Sequence, residues 1–437
     1  MKLFGTDGVR GVVNEFLTPQ LAFKLGNAVG RVYEGEMVLV AKDTRKTGDM
    51  LESALAAGLA SAGKDVMLCG VLPTPALALL SNRMKTLGIV ISASHNPPEF
   101  NGIKVIMNGF KLSDEYERKI EELFEKEELV SYGKVGRIQR FDKAFDIYTG
   151  EILSMFSDLD LKGFKVDVDV ANGAAYKTTP YVFEKLGADV EVHFNEPDGI
   201  NINHECGSTN IDVLSSKKRE GAIGIAHDGD ADRCLFVDEG GNEVNGDKVI
   251  GIMALSMLEE GRLKRKKVVG TILTNLGLEQ FLKKHGIELL RAKVGDKYVL
   301  EKMKGNGAML GGERSGHIIF LDRSTTGDGL ITALEILRAV KRAGKTLKDL
   351  HTPIVDYPQV MINVKVSDKS VADSEEIYKV IENLKMENCR VVVRPSGTEP
   401  VIRVMVEGED MDQAFKIAED IARVVKEVDA ERSSKLV

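Results

Sequence analysis

The 437-residue chain has few of the features that would mark a secreted, membrane or zinc-binding protein. Its four cysteines lie far apart and form no Cys-x-x-Cys pair, which argues against a disulfide framework or a cysteine zinc site. No run approaches the roughly 18 apolar residues that a membrane helix requires. Gly5, Thr6 and Asp7 interrupt the first apolar residues before a signal-peptide core could form. These absences predict a soluble cytoplasmic protein with structural thiols.

The chain also lacks an excess of basic residues. Lys and Arg number 59 and Asp and Glu number 67, so the formal net charge is −8. Proteins that bind nucleic acid or anionic membranes without specificity are usually basic, so we expect neither partner. With 43% hydrophobic and 29% charged residues the composition is that of a globular protein. A chain of this length predicts about three domains.

One pattern of residues recurs three times along the chain. A β-branched run is followed by a helical stretch that ends in a glycine, and a second strand-like run follows at once. The three glycines are Gly63, Gly187 and Gly286. Glycine suits the left-handed position after a helix, so each repeat predicts a strand–helix–strand unit. The pattern therefore predicts an α/β fold class, with three similar α/β domains that have mixed, mostly parallel sheets.

A stretch with two prolines, residues 351–358, is predicted to link these domains to a smaller one. The segments after it are typical of three strands and two helices, which predicts a C-terminal α+β domain. The predicted domain boundaries are residues 1–150, 151–248, 249–357 and 358–437.

Asp228, Asp230 and Asp232 alternate along a predicted loop that follows a strand-like run ending at Ala226. The spacing is similar to an EF-hand loop, but Arg233 stands where the sharp turn of that loop requires glycine. Three carboxylates so close repel one another unless a cation neutralises them. Because every ligand is an oxygen, the pattern favours Mg²⁺, Mn²⁺ or Ca²⁺ over zinc. The alternative is a solvated acidic turn.

Ser94 and His95 follow the apolar run 87–91, and open α/β sheets place reacting groups at the carboxyl ends of strands. Adjacent Ser and His do not make an esterase triad, and the chain has no Gly-x-Ser-x-Gly elbow. A turn hydroxyl is the alternative for Ser94 taken alone. Lys104 stands near the start of a predicted hairpin strand just beyond.

Two further loops carry groups that suit polar ligands. Segment 311–317 has Glu313, Ser315 and His317 among glycines, which suits a polyhydroxylated ligand. Segment 394–400 offers an arginine, two hydroxyl groups and a glycine after a β-branched run, the parts of an anion-binding nest. A purely structural turn is the alternative for each loop.

Four of these segments occur together in a recognisable order: SASHNP at 92–97, DGDADR at 228–233, GGERSGH at 311–317 and RPSGTEP at 394–400. In this order and over this length they resemble the α-D-phosphohexomutase superfamily, and the resemblance covers essentially the whole chain. Three further segments look most like its phosphoglucosamine mutase branch: FGTDGVRG at 4–11, VGDKYV at 294–299 and RVMVEG at 403–408.

The resemblance implies an isomerase, an intramolecular phosphotransferase that interconverts glucosamine 6-phosphate and glucosamine 1-phosphate. This reaction belongs to amino-sugar metabolism, on the route to UDP-N-acetylglucosamine. The resemblance implies a phosphoserine enzyme and a 1,6-bisphosphate intermediate, with glucosamine or glucose 1,6-bisphosphate as activator. The implied partner is a small sugar phosphate bound in a central cleft among the four domains, and a homodimer is one assembly that the prediction allows.

The resemblance also implies roles for individual residues. Ser94 is implied as the phosphorylated serine, and the implied ligands of one Mg²⁺ per chain are Ser94, Asp228, Asp230 and Asp232. The residues implied beside the phosphoserine, with Lys104 as the acid–base candidate, are Lys104, His95 and Arg10. The implied sugar contacts are Glu313, Ser315 and His317. The implied phosphate contacts are Arg394, Ser396, Gly397, Thr398 and Arg233.

Two departures from the branch keep alternatives open. After SASHNP the chain has Pro98, Glu99 and Phe100, where the branch commonly has an aromatic and an acidic residue. Pro395 is also common in phosphomannomutase/phosphoglucomutase enzymes. Such an enzyme, or a hexose-phosphate mutase of broad specificity, is the alternative of the same class. A metal-dependent phosphatase or a sugar-phosphate binder is the alternative of a different class.

Overall fold

The computed structural model describes residues 3–5, 7–126, 133–383, 389–396 and 400–434. Contacts group the chain into two units. One contains Met1–Thr271 and Ile287–Thr352, and the other contains Ile272–Gly286 and Pro353–Val437. Among the described residues, none of the helices combines the length and the apolar composition of a membrane span.

The first sheet and its helices come from β1 (Val9–Val12), α1 (Pro19–Val32), β2 (Met37–Lys42), α2 (Gly48–Ser61), β3 (Asp65–Val71), α3 (Thr74–Met84), β4 (Leu87–Ile91), β5 (Phe100–Met107), β6 (Phe110–Lys111), α4 (Asp114–Glu125) and β7 (Ile138–Arg140). The strand order is β1-β5-β4-β2-β3-β7, with β6 paired to β5. Strand β2 pairs in parallel with β3 and β4, and β5 runs antiparallel to β4. Leu39, Val40 and Ala41 of β2 are fully buried, as a strand covered on both faces requires.

The second sheet is built from α5 (Ala144–Met155), β8 (Lys165–Asp169), α6 (Thr178–Lys185), β9 (Asp189–His193), α7 (Ile211–Lys217), β10 (Ile223–His227), β11 (Cys234–Val237) and β12 (Glu243–Val244). Its strand order is β12-β11-β10-β8-β9. Strand β8 pairs in parallel with β9 and β10, and β11 runs antiparallel to β10.

The third segment contains α8 (Gly246–Glu259), β13 (Lys267–Thr271), α9 (Leu276–Lys284), β14 (Glu288–Ala292), α10 (Asp296–Asn306), β15 (Leu310–Gly312), β16 (Ile318–Phe320), α11 (Gly329–Ala343) and α12 (Leu347–His351). Its sheet has the order β14-β13-β15-β16. Strand β13 pairs in parallel with β14 and β15, and β16 runs antiparallel to β15.

The three sheets share one topology. In the four strands that they have in common, the strand before the helix pairs in parallel with the next two strands, one on either side, and the fourth strand pairs antiparallel with the second of these two. Gly63, Gly187 and Gly286 have φ angles of 85°, 85° and 68°, so each helix ends in the left-handed conformation that the sequence predicts. The prediction of three similar α/β domains with mixed sheets is confirmed.

The second unit contains β17 (Gln359–Lys365), α13 (Glu375–Asn383), β18 (Cys389–Pro395), β19 (Val401–Gly408) and α14 (Met411–Ser434). Its sheet is antiparallel in the order β17-β19-β18, and α9 belongs to this unit. Val404 and Val406 of β19 pack with Ile417, Ile421 and Val425 of α14, whose spacing of four places them on one helix face. The predicted α+β character is confirmed, and the domain boundaries at residues 150, 248 and 357 stay a prediction.

A buried tyrosine–aspartate contact joins α5 to the start of α11. The Tyr148 hydroxyl donates to the two carboxylate oxygens of Asp328 at 3.2 and 3.0 Å. Oδ1 of Asp328 also accepts from the Ile331 N–H at 3.0 Å, which caps the helix. Burial raises the pKa of Asp328 to about 6.

We expect Asp328→Asn to remove part of the pH dependence of stability. The pKa of Asp328 is higher in the folded state than the value of about 3.9 in an unfolded chain, so the folded state binds this proton more tightly. This contribution to stability is complete below about pH 4 and is lost as the pH rises through about 6, a change on the order of 3 kcal/mol. Urea-unfolding midpoints across that range test the prediction, with the exposed Asp142→Asn as control. A constant difference between wild type and Asp328→Asn would contradict it.

Candidate active site

Asp228, Asp230 and Asp232 lie on the loop between β10 and β11, at the carboxyl end of β10. Ala231 has a φ of 57°, a left-handed conformation that turns the loop. All three aspartates are buried, and their nearest ligand atoms lie within 4.8 Å of one another. A solvated acidic turn is therefore excluded, and the loop is a candidate metal site as the alternating pattern predicts.

The donor atoms of this cluster fit a divalent cation. Oδ1 of Asp230 and Oδ1 of Asp232 are buried and have no hydrogen-bond partner among the described residues. Burial and the neighbouring carboxylates raise the pKa of Asp228 and of Asp232. Burial acts to raise the pKa of Asp230 as well, but Lys104 holds it below its ordinary value. A hard cation would satisfy the free oxygens and remove the repulsion, and an oxygen-only donor set suits Mg²⁺.

Ser94 follows β4 and faces this cluster. Its hydroxyl donates to Oδ2 of Asp228 at 2.6 Å, and the residue is 2% exposed. Its φ of 53° lies in the left-handed region, which is uncommon for a residue other than glycine. Strained backbone of this kind is concentrated at functional sites and persists only where its surroundings enforce it.

Buried side chains on two other loops enforce this conformation. Arg45 donates to the carbonyls of Ser94 and Asn96 at 2.9 and 2.8 Å. Asn203 donates to the same two carbonyls at 2.9 and 3.2 Å. Arg45 is itself paired at 2.9 Å with Asp43, and both of these side chains are fully buried. The sequence reasoning missed Arg45 and Asn203, although Asp43 and Arg45 follow β2 at the sheet edge where β4 ends.

Lys104 reaches the cluster from β5. Its Nζ lies 2.7 Å from Oδ2 of Asp230, 2.9 Å from Oδ2 of Asp7 and 3.7 Å from Oδ2 of Asp232. Thr74 Oγ1 donates to the same oxygen of Asp230 at 2.5 Å. Burial acts to lower the pKa of Lys104, but the carboxylates around it raise that pKa above its ordinary value. Lys104 is therefore an ammonium ion, which can neutralise a phosphoryl group and donate a proton.

His95 and Arg10 lie beside the Ser94 loop, as the resemblance implies. Nδ1 of His95 is 3.4 Å from the Ser94 hydroxyl oxygen. Burial, together with nearby Arg233 and Arg10, lowers the pKa of His95 to about 4, so its ring is neutral at physiological pH. Arg10, on β1, donates to Oδ1 of Asn96 at 3.2 Å.

The loop between β15 and β16 brings His317 toward the same cluster. Nε2 of His317 lies 4.0 Å from Oδ2 of Asp232 and 3.7 Å from Oδ2 of Asp296. Both ring nitrogens are buried with no hydrogen-bond partner among the described residues, so they are available to a ligand. Oε1 of Glu313 accepts from the Gly295 N–H at 3.0 Å, and Ser315 is half-buried on the same loop.

Arg233 follows the last aspartate of the cluster. Its Nε lies 3.9 Å from Oδ2 of Asp228 and 3.9 Å from Oδ1 of Asp232. The first unit therefore brings Arg233 together with Ser94 and Lys104 around the three carboxylates.

The predicted phosphate-binding loop belongs to the second unit. Arg394 on β18 is opposite Arg403 on β19, and burial and the Arg403 charge lower the pKa of Arg394. Ser396 is buried, and its carbonyl accepts from Lys369 Nζ at 2.7 Å. Two cationic side chains in register next to a hydroxyl suit an anionic ligand. Gly397 and Thr398, the remaining predicted contacts, lie outside the described residues.

Comparison with known families accounts for nearly the whole chain. Four phosphoglucomutase/phosphomannomutase domain models match in order: alpha/beta/alpha domain I at residues 1–131, domain II at 146–241, domain III at 245–357 and the C-terminal domain at 361–424.

Individual relatives agree with the family comparison. The phosphoglucosamine mutase of Thermosipho africanus is 57% identical over 98% of this chain and 99% of its own length. That of Thermotoga maritima is 54% identical over 98% of this chain and 99% of its own. A crystal structure of a phosphoglucomutase/phosphomannomutase family protein from Burkholderia thailandensis, 26% identical, superposes with a TM-score of 0.81 over 97% of this chain and 98% of that one. The chain belongs to the phosphoglucosamine mutase family, a family of phosphosugar mutases with the four phosphoglucomutase/phosphomannomutase domains.

Proposed function

We propose that this phosphosugar mutase interconverts glucosamine 6-phosphate and glucosamine 1-phosphate through phosphorylated Ser94 and a 1,6-bisphosphate. The observation that carries the proposal is the hydrogen bond of 2.6 Å between the strained, buried Ser94 hydroxyl and Asp228 of the carboxylate cluster. The relatives that share more than half of its residues carry the name of this activity.

The carboxylate cluster would hold one Mg²⁺ per chain. Its proposed ligands are Asp228, Asp230, Asp232 and a phosphoryl oxygen on Ser94. When bound, such an ion withdraws negative charge from the phosphoryl group as a Lewis acid. The activator in this proposal is glucosamine or glucose 1,6-bisphosphate, which would phosphorylate Ser94.

The cationic side chains stabilise the phosphoryl group as it moves. Phosphoryl transfer depends chiefly on positioning and on neutralising the charge of the transferred group. Arg10, Arg233 and Lys104 supply that positive charge in the proposed site. During transfer from phosphorylated Ser94 to the sugar, the serine oxygen gains a proton and the sugar hydroxyl loses one. Because Lys104 Nζ is protonated, it would donate to the serine oxygen first and accept the sugar proton afterwards.

The remaining predicted residues would orient the sugar phosphate. Glu313, Ser315 and His317 offer a carboxylate, a hydroxyl and an imidazole for sugar hydroxyl groups. In the second unit, the residues proposed to bind phosphate are Arg394, Ser396, Gly397 and Thr398. The proposal also includes a cytoplasmic location, no nucleic-acid or membrane partner, and a homodimer as one possible assembly.

A comparison of substrates tests the proposed function. With Mg²⁺ and catalytic glucose 1,6-bisphosphate, we expect kcat/KM for glucosamine phosphates to exceed that for glucose and mannose phosphates by about tenfold or more, as recognition of a polar substituent allows. A preference for mannose 1-phosphate would overturn the proposed sugar and favour the phosphomannomutase alternative. Release of inorganic phosphate at the rate of substrate consumption would overturn the mutase reaction itself.

A further inference from the structure

Asp7 is the carboxylate at which three cationic side chains of the site meet. Its carboxylate pairs with Arg10 and with Lys111, and its Oδ2 lies 2.9 Å from Nζ of Lys104. Lys111 also pairs at 2.6 Å with Asp296, so a second carboxylate helps to hold Lys111 beside Asp7. The mechanism above uses Arg10 and Lys104 but gives no role to Asp7.

The ammonium group of Lys104 lies between two carboxylates, those of Asp230 and Asp7. It donates a hydrogen bond to Asp230 at 2.7 Å and forms an ion pair with Asp7 at 2.9 Å, whereas Asp232 is 3.7 Å away. The Lys104 side chain is 4% exposed, so bulk water cannot replace a lost acceptor. The hydrogen bond to Asp230 and the ion pair with Asp7 hold Nζ from two sides, and an ammonium group has three N–H donors, so donors remain for a reacting oxygen. Without Asp7, Asp230 alone would hold the group, and the ammonium could rotate about that single contact.

The backbone around Asp7 is packed directly on the strand that carries Lys104. Gly8 has a φ of 80°, and a Cβ atom there would lie 2.4 Å from the Ile103 carbonyl oxygen and 3.0 Å from the Lys104 Cα. The Gly5 N–H donates to the Gly8 carbonyl at 2.9 Å and closes the turn that presents Asp7. The position of Asp7 relative to Lys104 is therefore set by main-chain packing as well as by the ion pairs.

We propose that Asp7 is a positioning residue that fixes the orientation of the Lys104 ammonium group for proton transfer. This inference rests on the proposed function, because it concerns the acid–base group of that reaction. Asp7 itself exchanges no proton in it: its two oxygens accept hydrogen bonds from Arg10 and Lys111, and its ion pair with Lys104 holds that side chain against Asp230.

A double-mutant cycle between Asp7 and Lys104 tests the inference. We expect Asp7→Asn to lower kcat by about 10- to 100-fold, since misplacing a catalytic group by about 1 Å can cost that much, with KM within about threefold of wild type. In a Lys104→Met background the same substitution should change kcat by less than about threefold, because the group it orients is gone. Asp7→Glu, which keeps the charge, should recover part of the loss.

The control is Asp114→Asn, at the exposed start of α4. It removes a carboxylate that pairs with a different lysine, Lys297. It should leave kcat and KM near wild type. If Asp7→Asn leaves kcat unchanged, or lowers it equally with and without Lys104, Asp7 does not act through Lys104 and the inference is wrong. If Lys104→Met itself keeps the wild-type kcat, the failure lies in the acid–base role assigned to Lys104 in the proposed function, and the inference falls with it.

Discussion

Ser94→Ala is expected to lower mutase turnover by about 10³-fold or more, because it removes the atom that is proposed to carry the phosphoryl group. The substitution deletes one hydroxyl, whose hydrogen bonds are to Asp228 at 2.6 Å and His95 at 3.4 Å. The hydrogen bonds that hold the main chain at Ser94 are kept, since Arg45 and Asn203 bind the carbonyl of Ser94 and not its side chain. Turnover is measured with Mg²⁺ and glucose 1,6-bisphosphate, and the thermal midpoint should stay near that of the wild type.

The matched control is Ser53→Ala on the exposed face of α2. Its hydroxyl donates to the Asp49 carbonyl of the preceding turn at 2.8 Å and lies away from the site, so turnover should not change. Intact-mass measurement after incubation with the bisphosphate gives a second readout: the wild type and Ser53→Ala should gain a phosphoryl group and Ser94→Ala should not. Turnover of Ser94→Ala at the wild-type rate would show that another group carries the phosphoryl group.

The repeated topology could be predicted because its signals are short in sequence. The signal is a helix that ends in glycine with a β-branched run directly after it, so it depends only on neighbouring residues. Gly63 and Gly187 both adopt the left-handed φ that this pattern predicts. The grouping of α9 with the second unit was not predictable, because it depends on residues about 80 positions apart. Asn275 accepts from the Tyr357 N–H at 2.9 Å and donates to its carbonyl at 3.0 Å.

The same limit applies to the candidate site: residues in short motifs could be predicted, whereas residues that reach the site from distant segments could not. The carboxylates and Ser94 stand in short contiguous motifs, and the structure brings them together. The residues that support them come from distant segments: Arg45 lies 49 positions from Ser94, Asn203 lies 109 from it and Thr74 lies 156 from Asp230. A charged residue such as Arg45 would by itself be expected on the surface, since charged residues are almost never fully buried unless they are paired. Asp43 is close in sequence, but only the fold provides the carbonyls of Ser94, Asn96 and Pro97 that also make the burial of Arg45 favourable.

Asp232→Asn is expected to have opposite effects on stability with and without Mg²⁺. Oδ1 of Asp232 has no hydrogen-bond partner among the described residues, and the nearest cation to its Oδ2, Lys104, is 3.7 Å away. An amide at this position therefore breaks fewer contacts than one at Asp228 or Asp230, which hold Ser94 and Lys104. In EDTA, three buried carboxylates repel one another, so removing one charge should raise the thermal midpoint above that of the wild type.

With Mg²⁺ the order of the midpoints should reverse, because the wild type gains stability from a bound ion and Asp232→Asn loses most of that gain. Turnover should fall by about 10²-fold or more in the variant, and EDTA should abolish it in the wild type, since both treatments remove the charge that neutralises the phosphoryl group. Asp212→Asn, on the exposed start of α7, should match the wild type in both conditions. If Asp232→Asn is the less stable protein in EDTA as well, the three carboxylates do not form a repulsive cluster that a cation relieves. If Mg²⁺ raises the thermal midpoint equally in the wild type and in Asp232→Asn, Asp232 is not a metal ligand.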